Sequence, residues 1–172
     1  IVLLRKKRLD LLAAAVSPNN NYIGCMLPYT PLHNLLFSHP LGSGDSSMRP
    51  HFKALVMTSG NLSEEPIVRD NDEAIEKLSN IVDGFLLHDR DIFMRVDDSV
   101  VRLSSLVSRP SSISFLRRSR GYAPDPIDLH DEGPEVLGCG ADIKNTFTLT
   151  KGKYAIVSQH IGDMENYETV KF

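Results

Sequence analysis

The chain opens on an apolar run, Ile1-Val2-Leu3-Leu4, which predicts a buried strand broken by the basic cluster Arg5 to Arg8. The turn-forming string Ser17-Pro18-Asn19-Asn20-Asn21 follows, and Ile23 to Leu27 predicts a second short strand closed by Pro28. Pro31 suits the first turn of a helix with Thr30 as its cap and Leu32, Leu35 and Leu36 on one face. A polar loop spans 38–51, and Ala54 to Met57 predicts a strand ending in the turn Thr58-Ser59-Gly60-Asn61. Asp70 or Asn71 is placed to cap a helix with Ala74, Ile75, Leu78 and Ile81 on one stripe. Phe85 to Leu87, Val100 to Leu103 and the alternating Ser112 to Leu116 predict three further strands.

Beyond residue 123 the composition changes. Pro124, Pro126, Asp128, Asp131, Glu132, Gly133 and Pro134 have linker character. After them Val136 to Gly140, Thr146 to Leu149 and Ala155 to Val157 predict strands, the last two joined through Lys151-Gly152-Lys153. Strands mixed with a few helices indicate an α/β or α+β fold. The division expected is a domain over 1–127, a linker over 128–135 and a second domain over 136–172. The absence of an initiator Met and the closing run Tyr167 to Phe172, an unfinished helix, make both ends read as cut.

Composition narrows the chemistry. At 172 residues the chain has room for one domain and part of another, and 41% hydrophobic with 24% charged residues is ordinary for a globular protein. A net charge of −3 argues against nucleic acid as a general partner. No apolar run is long enough to cross a bilayer, and Ile1 to Leu4 is not a signal-peptide core, so a cytoplasmic setting without membrane contact is expected. Cys25 and Cys139 form no close pair and are expected to be small buried apolar residues. The six His show no metal-ligand spacing, no nucleophile elbow is present, and no catalytic side chain or metal ligand set is expected.

Three segments carry candidate binding chemistry. A strand ending in Thr-Ser-Gly-Asn suits an anion site: glycine lets consecutive N–H groups converge, and Ser59 and Asn61 add donors or magnesium ligands. Composition alone favours a plain turn there. Arg117, Arg118 and Arg120 precede Gly121, and alternation sends Arg118 and Arg120 to one face and Arg117 to the other. Their forks suit phosphate, although a solvated basic patch is the simpler reading. Asp97-Asp98-Ser99 suits magnesium or a sugar hydroxyl, and equally an ordinary acidic turn. Gly42 and Gly44 in the 38–51 loop lack the phosphate-loop pattern, and Gly138-Cys139-Gly140 lacks a third glycine.

The order of several strings is more informative than any one of them. Leu27-Pro-Tyr-Thr-Pro-Leu-His33, Met57-Thr-Ser-Gly-Asn-Leu-Ser-Glu-Glu-Pro66, Leu86-Leu-His-Asp-Arg90, Asp97-Asp-Ser-Val-Val-Arg102 and Arg118-Ser-Arg-Gly-Tyr-Ala-Pro124 follow one another here. Gly140-Ala-Asp-Ile-Lys-Asn-Thr-Phe147 and Ser158-Gln-His-Ile-Gly-Asp163 continue the series. In sequence and spacing they resemble the HypF family of hydrogenase-maturation carbamoyltransferases. The resemblance implies that residues 1–127 are the second half of a YrdC-like domain, a twisted open sheet with flanking helices. It implies that residues from about 134 open a sugar-kinase/actin-like nucleotide-binding domain.

The same resemblance implies a function. The family takes carbamoyl phosphate and ATP with magnesium, forms carbamoyl adenylate by attack of carbamate oxygen on the α-phosphorus, and releases pyrophosphate. The carbamoyl group then passes to the C-terminal Cys of the partner HypE, to become a cyanide ligand of the nickel–iron centre. By motif position Ser59 and Asn61 match the element at the nucleotide phosphates, with Thr58 setting the turn. Arg118 and Arg120 match a basic phosphate element, and Tyr29, Thr30 and His33 a segment lining the cleft. Lys144 and Asn145 match the neighbouring domain's nucleotide region. The family's acylphosphatase domain, zinc modules, first YrdC-like half and later metal-binding histidines are not in this sequence, so it is expected to be inactive alone. Two other readings compete. A threonylcarbamoyl-adenylate synthase is opposed by Glu64-Glu65-Pro66 and by Ser158 to Asp163, and an RNA-binding module by net charge and the lack of interleaved aromatics.

Overall fold

A computed structural model describes residues 1–8, 12–37, 53–63, 65–104 and 112–171. The loop expected over 38–51 lies outside the described residues. The fold is mixed α/β, as expected, and the chain divides into two compact units, 1–58 and 59–172.

In the first unit β1 (Val2–Arg5) pairs antiparallel with β2 (Tyr22–Cys25), Val2 opposite Cys25 and Arg5 opposite Tyr22. The Lys6 ammonium closes the intervening loop by donating to the Ser17 carbonyl at 2.9 Å. Helix α1 (Pro31–Phe37) starts where Pro31 predicts it to. The Thr30 hydroxyl accepts the His33 N–H at 3.1 Å, so Thr30 is its cap. Ala54 to Met57 is not a strand: no ladder runs through it among the described residues, and Val56 is 73% exposed. An apolar run becomes a strand only where another backbone meets its N–H and C=O groups.

The second unit begins with α2 (Asn71–Leu78). Asp70 caps it, its side chain accepting from the N–H groups of Asp72 at 2.9 Å and Glu73 at 3.2 Å. Lys77 sits between Glu65 and Glu73, at 2.9 and 3.1 Å, and this shared ion pair ties the helix to the turn before it. The strand expected at 85–87 is also missing. Downstream of it, backbone carbonyls meet side chains instead of a ladder: Asn71 donates to the His88 carbonyl at 2.8 Å and Arg69 to that of Phe93 at 3.2 Å.

β3 (Val100–Ser104) and β4 (Ser112–Arg117) pair antiparallel with a bulge. Arg117 faces Val100 and Phe115 faces Val101, so Leu116 is the extra residue and the end of β4 is re-aimed. Ser99 and Ser119 form the buried floor of this corner, at 6% and 0% exposure. The Ser99 hydroxyl accepts the Ser119 N–H at 2.8 Å and donates to the Arg120 carbonyl at 2.9 Å.

The remaining strands form one antiparallel sheet in the order β5-β8-β7-β6, from β5 (Ile127–Asp128), β6 (Leu137–Cys139), β7 (Phe147–Lys151) and β8 (Tyr154–Val157). Gly152 makes the β7–β8 turn with φ of 57°, a conformation that favours glycine. The stretch expected as a linker is held along this hairpin. Asp128 pairs with Tyr154, Leu129 N–H donates to the Lys153 carbonyl at 2.7 Å, and Gly133 N–H donates to that of Gly152 at 3.2 Å. Helix α3 (Tyr167–Lys171) ends the described chain. Cys25 and Cys139 are exposed thiols, not buried ones. Each ends a strand at a sheet margin, where little packs over it.

Candidate functional site

The second unit carries a cleft of about 460 Å³ whose walls include Ser59, Asn61, Arg95, Asp97, Arg117 and His160. Ser59 and Asn61 enter it from the turn before α2. Gly60 is not left-handed, and the Asn61 N–H is used inside the turn, donating to the Ser59 carbonyl at 3.0 Å. The turn therefore presents side chains and not the expected nest of backbone N–H groups. The Asn61 amide nitrogen donates to the carbonyls of Leu62 at 2.8 Å and Glu65 at 2.9 Å. Those two acceptors fix which way the amide points. Its Oδ1 is buried and has no partner, leaving an acceptor unused in the cleft wall.

The opposite chemistry comes from the bulged end of β4. Arg117 lines the cleft, with one Nη 3.5 Å from Asp97 Oδ1 and a buried Nε that has no partner. Asp97 in turn meets His160, whose Nδ1 lies 2.6 Å from Asp97 Oδ2 and whose Nε2 lies 2.8 Å from the Ile143 carbonyl. The His160 hydrogen bond holds the Asp97 carboxyl below the usual carboxylate range. Burial opposes that shift, and the charges of Arg117, His160 and Lys144 add to it. Gln159 makes a second bridge, donating to the Arg95 carbonyl at 3.1 Å.

Arg118 and Arg120, the arginines expected at phosphate, are not on the cleft wall. Arg118 donates to the carbonyls of Tyr122 and Asp125, both at 2.6 Å, and to that of Val157 at 3.4 Å. Arg120 donates to the Val96 carbonyl at 2.9 Å and lies 3.6 Å from Asp98. The bulge is the physical reason: it turns the residue before Arg118 toward the cleft. Arg95, Arg117 and His160 are thus among the cleft residues that motif position did not select. Alternation did place Arg117 on the face opposite its neighbours.

The other expected residues have their own settings. Tyr29 and His33 in the first unit stack edge to face at 5.0 Å beside the Thr30 cap, and Thr58 ends that unit. Lys144 closes a 3-10 turn, Asp142–Lys144, and contributes positive charge at Asp97. Asn145 follows as its cap, its carbonyl accepting the Ile161 N–H at 3.0 Å. Among the described residues no group of three or more His, Cys, Asp or Glu is placed to hold a metal ion, and no helix is long and apolar enough to cross a membrane.

Known proteins match this chain in two parts. Residues 1–119 match the Sua5/YciO/YrdC family model, described as telomere recombination, and residues 131–172 match the HypF Kae1-like domain. The chain is 47% identical over 173 residues to carbamoyltransferase HypF2 of Cupriavidus necator, covering 98% of this chain and 21% of that one. It is 41% identical to carbamoyltransferase HypF of Rhizobium leguminosarum bv. viciae, covering 99% and 21%. A crystal structure of full-length HypF in the phosphate- and nucleotide-bound form aligns with a TM-score of 0.76 at 45% identity, over 99% of this chain and 25% of that one. That of T. kodakarensis HypF aligns at 0.77 and 36%, over 100% and 20%. The chain thus spans about a fifth of the length of these curated relatives. It belongs to the HypF carbamoyltransferase family, with a YrdC-like part and a Kae1-like part.

Proposed function

We propose that this chain supplies part of the site at which a HypF-type carbamoyltransferase uses carbamoyl phosphate and ATP to form carbamoyl adenylate. In this reading the carbamoyl group is delivered to the C-terminal Cys of HypE during nickel–iron hydrogenase maturation, in the cytoplasm. The observation that carries the reading is the meeting of Ser59, Asn61 and Arg117 on one cleft in a chain with this family relationship.

The atoms assign complementary tasks. With its amide nitrogen committed, Asn61 offers only Oδ1, an acceptor, which suits a ribose hydroxyl or the carbamoyl NH2 and not a phosphate oxygen. The Ser59 hydroxyl and the Arg117 fork are donors that suit phosphate. Carbamate, released from carbamoyl phosphate by water together with inorganic phosphate, attacks through oxygen. A new bond forms to the α-phosphorus, and the bond to the bridging oxygen breaks, its electron pair leaving on pyrophosphate. Such a transfer depends on positioning and on cations near the departing charge, with no covalent nucleophile from the protein.

The three carboxylates lining the cleft, Glu65, Asp97 and Asp163, do not fit a protein-held magnesium. Glu65 is paired with Lys77, Asp97 with His160 and Arg117, and Asp163 accepts the Glu165 N–H at 2.9 Å. In the proposed reaction magnesium arrives on the phosphates of ATP.

Calorimetric titration of MgATP into the protein tests the reading. Ser59→Ala, Asn61→Ala and Arg117→Ala are each expected to weaken binding about three- to thirtyfold. Wild-type affinity in all three variants would move the nucleotide elsewhere.

A further inference from the structure

His160 belongs to the segment matched to the Kae1-like domain, whereas Asp97 and Arg117 belong to the segment matched to the YrdC-like part. These three residues form a continuous chain of polar contacts across the join. Both ring nitrogens of His160 face acceptors, the Asp97 carboxylate and the Ile143 carbonyl. The ring side chain is 9% exposed, so little water is available to substitute for either bond.

Asp97 has two close neighbours of unequal distance, His160 at 2.6 Å and Arg117 at 3.5 Å. Lys144 adds a more distant positive charge from the 3-10 turn. The carboxylate is satisfied mainly by the histidine, and the Arg117 fork retains an Nε without a partner. Without the histidine the carboxylate would have Arg117 as its remaining close partner. It would draw that guanidinium closer than the present 3.5 Å and reduce the charge offered to an anion.

We infer that His160 is a positioning residue: by holding Asp97 it keeps Arg117 available to the phosphates in the cleft, so that the Kae1-like part sets the affinity of the YrdC-like part. The inference rests on the nucleotide reading proposed above and adds the control of it.

The test is MgATP affinity in a set of variants of the protein, with far-UV circular dichroism confirming the fold of each. His160→Ala is expected to bind about tenfold more weakly than wild type. Adding Asp97→Asn to His160→Ala is expected to restore most of that loss, because a neutral side chain no longer draws Arg117 away. A merely structural role predicts the reverse, since the double variant would lack both halves of the contact. In an Arg117→Ala background, His160→Ala is expected to have no further effect. If His160→Ala does not fold, His160→Gln, which keeps a donor in place of the ring, is expected to give a smaller loss also reversed by Asp97→Asn. Wild-type affinity in the folded His160 variant, or a double variant weaker than the single one, overturns this inference and leaves the nucleotide reading standing. Absence of MgATP binding by the wild-type protein overturns both.

Discussion

Arg118 donates through Nη2 to the Asp125 carbonyl at 2.6 Å, closing the turn by which the chain leaves β4. The same nitrogen reaches the Tyr122 carbonyl, and Nη1 reaches Val157 in β8, so one guanidinium joins the turn to the second sheet. A planar fork with five fixed donors suits several carbonyls at once, which a lysine cannot reproduce.

Removing this fork should cost stability and not ligand affinity. Arg118→Ala is expected to lower the unfolding free energy by about 2 kcal/mol, and Arg118→Lys to recover only part of it. Urea unfolding measures the first effect. The same variant should keep wild-type MgATP affinity, in contrast to Arg117→Ala, and a weakened affinity would return Arg118 to the phosphate role its motif position implies.

Asp97 makes stability depend on acid. Its folded carboxyl is held low by the His160 hydrogen bond, whereas the unfolded group titrates near about 3.9. The contribution is present above the unfolded value and is lost as pH falls through the folded one. Asp97→Asn is therefore expected to be less stable than wild type by about 1–2 kcal/mol near neutrality, with the difference shrinking below about pH 4. Urea midpoints across that range decide it, and a difference independent of pH counts against the pair.

Gly140 supports the other end of the same contact. A Cβ there would lie 2.8 Å from the Thr146 carbonyl oxygen and 3.1 Å from its nitrogen, both backbone atoms with little room to give. Its own N–H donates to that carbonyl at 2.7 Å. Gly140→Ala should displace the loop carrying Ile143 and cost about 1–3 kcal/mol. Thermal unfolding measures the loss, and an unchanged midpoint would show that the loop adapts freely.

Local features were legible in advance wherever the reason for them was local. The cap at Asp70, the cap at Thr30 before Pro31, and the glycine turn between β7 and β8 each follow from a few neighbouring residues. The strands expected at 54–57 and 85–87 failed because apolar content does not supply a partner backbone. The stretch read as a linker had linker composition, yet its N–H groups meet the hairpin that follows it.

The ordered strings along the chain carried the family and the candidate turn at Ser59 and Asn61 without any structure. They placed the basic run beside the site but did not say which arginine enters it. A single extra residue at Leu116 decides that, by turning Arg117 into the cleft and leaving Arg118 to bind carbonyls. Nor does any local pattern join Asp97 to His160, which lie 63 residues apart. Sequence determined the elements and the chemistry available, because caps, turns and motif strings act over a few residues. Tertiary structure decided which groups share a cleft, because a bulge and a long-range ion pair exist only once distant segments meet.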